Sequence, residues 1–131
     1  RRLSRQPQRA SMSDTTLVKK RGTMQHRPLG NCHHGRGALD WIEVLAPRDL
    51  PERRLRFVHD DVLKPGVSIG THTHSEDEEY YYIISGSGMM HLDGTDHPVS
   101  AGDITAVYPG GTHGLINNGD EDLRVIVFCI C

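Results

Sequence analysis

The sequence has few cysteines, no long apolar run and no helical periodicity. Its three cysteines, Cys32, Cys129 and Cys131, are too few and too unevenly spaced for a disulfide framework, which indicates reduced thiols. No stretch is long and apolar enough to span a bilayer, and no secretory leader is recognisable. These absences predict a soluble, cytoplasmic protein with no membrane partner. Because 131 residues can bury one modest core, we expect a single domain over residues 15–131.

Positive charge is concentrated at the N-terminus. Residues 1–21 hold seven of the 15 lysines and arginines but only one of the 17 acids, a net charge of +6, which leaves −8 on the remainder. We interpret residues 1–14 as a basic N-terminal arm, and residues 1–11, which precede Met12, as a remnant of an expression vector or of upstream translation. The acidic remainder argues against nucleic acid as the partner.

Short segments with the alternation of β-strands follow one another from Thr15 onward. Residues 39–45 mix apolar and acidic positions as a half-buried strand does, and residues 53–60 alternate in the same way. Lys64-Pro65-Gly66 and Asp93-Gly94 favour turns. The regular spacing predicts about nine or ten strands and no amphipathic helix, which is typical of an all-β antiparallel barrel.

Three histidines and a glutamate in the second half of the chain have the spacing of one metal site. Residues two apart in a strand face the same side, so His72 and His74 can bind one ion from a single strand. The polar run 75–78 is predicted to turn the chain before Glu79 opens the next strand, and His113 arrives from a third segment. Imidazole nitrogen with one carboxylate oxygen suits one divalent transition metal ion (Mn, Fe, Co, Ni, Cu or Zn) better than Ca or Mg.

The two segments that carry these residues resemble the two motifs of the cupin superfamily. Residues 66–86 read G-x5-H-x-H-x4-E-x6-G and meet every defined position of the first motif. Residues 102–117 read G-x5-Y-x-G-x2-H-x3-N, with Tyr108 where the family has proline and Pro109 one residue later. The resemblance implies a double-stranded β-helix, or jelly-roll barrel, with its ion inside one mouth, and a small protein that forms a homodimer.

Three further residues are candidates for catalytic or substrate contacts. Tyr81 shares the predicted inner face with Glu79, so its phenol can orient a bound oxyanion, although it can equally be a core aromatic. Tyr108 precedes the loop that presents His113. Arg56 can hold a carboxylate if it points inward, but Leu55 and Phe57 look like the buried face of that strand.

The remaining histidines leave alternatives open. His33 and His34, in a glycine-rich loop beside Cys32, can form a second metal site or a cap over the barrel mouth. One of His59, His91 and His97 can line the cavity as an acid or base. On the outside, alternation predicts the row Tyr80, Tyr82 and Ile84, which together with Trp41 is candidate material for the dimer interface.

Two classes of function remain open. The first is a metal-dependent enzyme acting on a small oxygenated substrate (carboxylate, sugar-like or phenolic) by dioxygenation, isomerisation, decarboxylation or lyase chemistry. The second is a non-catalytic module, a sensor or carrier, in which the metal anchors a small ligand. A metal-free sugar epimerase of related fold is disfavoured because the ligand set is complete. The fold does not choose between the first two classes.

Overall fold

The structure is a computed structural model that describes residues 11–13 and 15–131. Most of the basic N-terminal arm, and with it the interpretation of residues 1–11 as a remnant, therefore lies outside the described residues. The strands of the described part are β1 (Ser11–Met12), β2 (Leu17–Val18), β3 (Gln25–Gly30), β4 (Ala38–Leu45), β5 (Leu55–Leu63), β6 (Ser68–Thr73), β7 (Glu78–Ser85), β8 (Ser87–Leu92), β9 (Thr95–Ser100), β10 (Ile104–Val107), β11 (Thr112–Ile116) and β12 (Leu123–Ile130). Single-turn 3-10 helices span Arg21–Thr23, Cys32–His34 and Pro47–Asp49. No helix in this part of the chain is long and apolar enough to cross a membrane.

Two antiparallel sheets form the body, which confirms the predicted all-β double-stranded β-helix. The larger sheet has the strand order β10-β7-β12-β5-β4-β3 and the smaller one β6-β11-β8-β9, while β1 and β2 pair as a separate hairpin. β3 was not predicted from the sequence, because its Pro28 and weak alternation disfavour a central strand. It lies at the edge of the larger sheet, the position in a sheet where proline is tolerated.

The core lies between the two sheets. Side chains of directly opposed residues share a face, and in the larger sheet Val127 is opposed by Tyr81 on one side and His59 on the other. The interior cluster combines residues of both sheets, namely Leu39, Trp41, Leu63, Ile69, Tyr81, Ile83, Met90, Val99, Leu115, Leu123, Val125 and Val127. The predicted alternation of β7 is confirmed, since Tyr81 and Ile83 are buried whereas Tyr82 and Ile84 are exposed.

Two of the basic residues near the N-terminus form ion pairs with acidic residues of the body. Lys19 Nζ lies 2.6 Å from Asp49 Oδ2, and the two side chains are only 2% and 0% exposed. Arg21 contacts Asp60 at 3.0 Å. These two ion pairs join basic residues near the N-terminus to acidic residues of the body. They fix residues 19–21 on it.

Asp60 on β5 gives the fold a defined pH dependence. Arg124 of β12 donates two hydrogen bonds to its carboxylate, at 2.9 and 2.8 Å. These bonds, with a contribution from Arg21, hold the pKa of Asp60 below its ordinary value although burial opposes them. Because the unfolded-state pKa is about 3.9, the stabilisation is complete above that pH and is lost as the pH falls through the lower folded-state pKa.

We expect Arg124→Leu to lower the free energy of unfolding by about 1 kcal/mol at about pH 6, a modest value because the arginine is partly exposed. The deficit relative to the unaltered protein shrinks at a second pH below about 3.9, because the stabilisation is lost as the pH falls through the lowered folded-state pKa of Asp60. Urea unfolding at the two pH values measures both quantities. A deficit of the same size at both would contradict the assignment.

Candidate metal centre

Strands β6, β7 and β11 bring the four predicted ligands together. His113 Nε2 lies 3.1 Å from Nε2 of His72, 3.1 Å from Nε2 of His74 and 3.0 Å from Oε1 of Glu79. One ligand atom from each of the four side chains lies within 4.8 Å of all the others. His72 and His113 are directly opposed across the β6–β11 pair, while His74 lies one residue beyond the end of β6 rather than within it.

An irregularity in β6 turns His72 into the barrel. Opposite β11, His72 pairs with His113 but Ile69 pairs with Leu115, so β6 has one extra residue between the two pairs. This β-bulge lets Ile69 and His72 both face inward despite their odd separation. Gly114 accommodates it, because a Cβ there would lie 2.8 Å from Thr71 Oγ1.

The turn before His113 survives the exchange of the family's proline for tyrosine. Gly111 N–H donates to the carbonyl of Tyr108 at 2.9 Å, and Gly110 has a φ of 95°. Pro109 thus occupies the turn position that favours proline and Gly110 the position that requires positive φ. The turn also pairs with the backbone of His74, which donates its N–H to the carbonyl of Gly111 at 3.0 Å.

Two ligand rings are oriented by acceptors on their far side. His72 Nδ1 lies 2.8 Å from the carbonyl oxygen of Gly70, and His74 Nδ1 lies 2.7 Å from Asp77 Oδ1. Since these acceptors select the tautomer with the proton on Nδ1, both Nε2 atoms present lone pairs to the cluster. His113 Nδ1 is buried without a partner among the described residues.

The electrostatics of the cluster suit a cation. Burial alone would raise the pKa of Glu79, but the hydrogen bonds and charges of the surrounding histidines outweigh it and lower the pKa to about 2. Burial lowers the pKa of His113, which favours a neutral imidazole. A buried carboxylate and converging imidazole lone pairs form a nitrogen and oxygen donor set that fits a divalent transition metal ion.

Asp77 completes this arrangement and was missed as a functional residue, because an acidic run in a polar loop is usually only solvated. Its second oxygen lies 3.3 Å from Cys129 Sγ and 3.4 Å from Arg56 Nη1. The carboxylate is therefore held from two sides while it accepts a hydrogen bond from His74 Nδ1–H. Carboxylate–histidine pairs of this kind fix the ligand ring and increase its basicity.

We expect Asp77→Ala to lower metal affinity by about 10- to 100-fold, the usual effect of removing such a partner. Glu76→Ala is the matched control, since it removes an exposed carboxylate from the same loop. Competition against a chromophoric chelator measures both variants. Equal affinities for the two would refute the role of Asp77.

The three candidate contact residues lie in different places. Tyr81 is buried, its ring centroid is 4.7 Å from that of His113, and burial followed by the nearby charge of Glu79 raises the pKa of its phenol well above the ordinary value. Tyr108 is 59% exposed, and its ring lies edge-on to that of Tyr80, outside the four-residue cluster. Arg56 has a side chain that is 49% exposed and contacts Asp77 rather than the cluster. Only Tyr81 is brought to the four ligands.

The structure also sorts the other histidines. His59 stacks on Phe57 inside the barrel, and burial lowers its pKa to about 4. His91 pairs with Asp96 at the surface, and His97 is exposed. Of these three, His59 is the interior residue. In the described part of the chain, the metal-capable group contains neither His33 nor His34.

Asp61 is a second interior acid that sequence reasoning missed. It is buried, and its Oδ1 has no hydrogen-bond partner among the described residues. Burial, followed by the charges of Asp60 and Glu79, raises its pKa well above the ordinary value. Asp61 faces the interior because it is directly opposed by buried Val125. That strand register cannot be read from one sequence, so the sequence held no usable signal.

The fold and the cluster agree with the comparisons with known proteins. The chain belongs to the cupin superfamily, because the family model described as a cupin domain matches residues 60–129. It is similar to an oxalate-binding protein of Thermotoga maritima, with 29% identity over 116 residues that cover 88% of this chain and 95% of that protein. A crystal structure described as a predicted oxalate decarboxylase of Thermotoga maritima has a TM-score of 0.80 and 29% identity, covering 86% of this chain and 97% of that one. A shorter match is protein SchB of Streptomyces halstedii, 31% identical over 65 residues, which are 50% of this chain and 47% of that protein.

Proposed function

We propose that this cupin binds one divalent transition metal ion through His72, His74, Glu79 and His113, and that the site so formed binds a small carboxylate of the oxalate class. The observation that carries the proposal is the convergence of the four ligand atoms within 4.8 Å. The similarity to an oxalate-binding protein over nearly the whole of both chains supports the ligand class.

The residues around the cluster suit a compact ligand. Tyr81 beside His113 keeps its phenolic proton, so it can donate a hydrogen bond. Tyr81 belongs to the same apolar core cluster as Met90 and Leu115, both buried, so one side of the site is apolar. When bound, the metal supplies Lewis acidity for polarising the oxygens of a carboxylate.

Turnover of the ligand is the first candidate activity, as dioxygenation, isomerisation, decarboxylation or lyase chemistry. Binding alone, with the metal as anchor, is the second. The Thermotoga maritima relative is described as an oxalate-binding protein, and this description supports the second candidate. Tyr108 and Arg56 do not contact the cluster, and we propose a role for them only if they move to contact a bound ligand.

Elemental analysis followed by calorimetry tests the proposal. Protein purified without chelating resin is analysed for metal, reloaded in turn with Mn, Fe, Co, Ni, Cu and Zn, and titrated with oxalate, malonate and acetate. Binding that disappears with a chelator and returns with one metal supports the site, and NMR of the mixture separates product formation from retention. Failure of every metal form to bind any of the three would contradict the proposal.

We further propose that the protein is a homodimer that buries the outer face of the larger sheet. Tyr82, Ile84 and Ile104 are exposed there by 42%, 37% and 57%. Tyr82 is directly opposed by Ile104, so their side chains form one continuous apolar surface. We expect light scattering after gel filtration to give twice the chain mass, and Tyr82→Glu to give the monomer. A stable monomer of the unaltered protein at about 1 μM would contradict it.

A further inference from the structure

The segment 31–34 is held against β6 in an uncommon backbone conformation. Asn31, His33 and His34 have φ angles of 50°, 49° and 64°, in the left-handed region that only a few per cent of non-glycine residues adopt. Strain of this kind persists where the surrounding structure enforces it, and it is frequent at ligand-binding sites. Two of these three residues, His33 and His34, are histidines that lie outside the four-residue metal centre.

Backbone contacts fix this segment next to the ligand strand. Arg36 N–H donates to Ser68 Oγ at 2.8 Å, and Ser68 N–H donates to the carbonyl of Arg36 at 3.0 Å. A Cβ at Gly70 would collide with the carbonyl oxygen of His33, so only glycine permits the observed approach. The backbone of His33 is therefore seated on β6 two residues before His72.

The side chain of His33 lies over a ligand ring. Its imidazole stacks on that of His72 with centroids 3.6 Å apart and an angle of 11° between the planes. His33 as a residue is nevertheless exposed, and it is not a member of the four-residue cluster. Because the rings are nearly parallel and stacked at this distance, the His33 ring covers one face of His72, whose Nε2 lies 3.1 Å from His113 Nε2. We expect a ligand held at the cluster beside that face to meet the His33 ring.

We propose that His33 is a ligand-binding residue, whose ring N–H donates a hydrogen bond to an oxygen of the small carboxylate bound at the His72, His74, Glu79 and His113 centre. The inference rests on the proposed function and adds a contact from outside the two motifs. A stack that only braces His72 requires an aromatic ring but no N–H. The two roles therefore respond differently to the loss of the ring nitrogens.

His33→Phe separates the roles, because phenylalanine keeps the stack and lacks the donor. In the full chain, reloaded with the metal that supports oxalate binding, we expect metal affinity within about 3-fold of the unaltered protein and oxalate affinity lower by about 10-fold, the effect of one hydrogen bond to a charged group. His33→Gln, which restores an N–H donor, should recover part of the loss. His34→Phe changes the adjacent histidine in the same backbone region and should alter neither affinity.

Each outcome bears on one of the two roles. Unchanged oxalate affinity in His33→Phe overturns the inference while leaving the proposed function intact. A fall in metal affinity of about 10-fold or more in that variant also overturns it, because His33 would then act through the placement of His72. If circular dichroism shows that His33→Phe is unfolded, the comparison of His33→Ala with His33→Gln replaces it, because both lack the stacked ring and only glutamine carries an N–H donor. Failure of the metal-loaded unaltered protein to bind oxalate, malonate or acetate refutes the proposed function and the inference together.

Discussion

His74→Ala is expected to lower the affinity for divalent transition metals by more than about 100-fold, since removing a partner of a ligand already costs 10- to 100-fold and this change removes the ligand itself. The fold should survive. His74 lies beyond the last residue of β6, and the apolar core is built from other residues, such as Ile69 and Leu115. Circular dichroism and metal competition measure the two effects separately.

His97→Ala is the matched control for this change, because His97 is exposed on β9 and distant in the chain from the cluster. It should keep full metal content. Any activity or ligand binding should be lost in His74→Ala and kept in His97→Ala. Full metal content in His74→Ala would show that the four convergent side chains are not the ligand set.

The sequence was sufficient to select the candidate ligands because strand periodicity and motif spacing act over short distances. His72 and His74 are separated by two residues, and Glu79 follows after a polar turn, so a local pattern locates all three. His113 required the second motif, since its opposition to His72 depends on how β6 and β11 pair. The fold class followed from the same alternation.

What the sequence could not give depends on long-range register and on tertiary contacts. The bulge that turns Ile69 and His72 to the same side is set by Gly114 and Thr71, which belong to different strands. Asp77 becomes an orienting residue only through its contacts with His74 and Cys129. The outward direction of Arg56, by contrast, was already indicated by the alternation of Leu55 and Phe57, and Phe57 is opposed by buried Cys129.

The N-terminal charge was the least readable feature, since composition does not say which lysine is buried. Lys19→Met is expected to lower the free energy of unfolding by about 3 kcal/mol, because it takes away the ammonium group 2.6 Å from a carboxylate that is fully buried. We place the value at the lower end of the range for breaking a buried pair, because Asp49 keeps the N–H of Ala46 at 2.9 Å. Urea unfolding, with the slope compared between variants, measures the loss.

Lys64→Met is the control for this prediction, because Lys64 and Asp122 form an exposed pair at 3.5 Å. Such a pair contributes between about 0 and 1 kcal/mol, so this variant should unfold close to the unaltered protein. Adding Asp49→Leu to Lys19→Met removes the buried carboxylate as well and should restore part of the stability, since a buried pair replaced by apolar side chains is often neutral. Equal losses in Lys19→Met and Lys64→Met would mean that residues 15–20 are not packed on the barrel, and the first strand that contributes to its stability would then be β3.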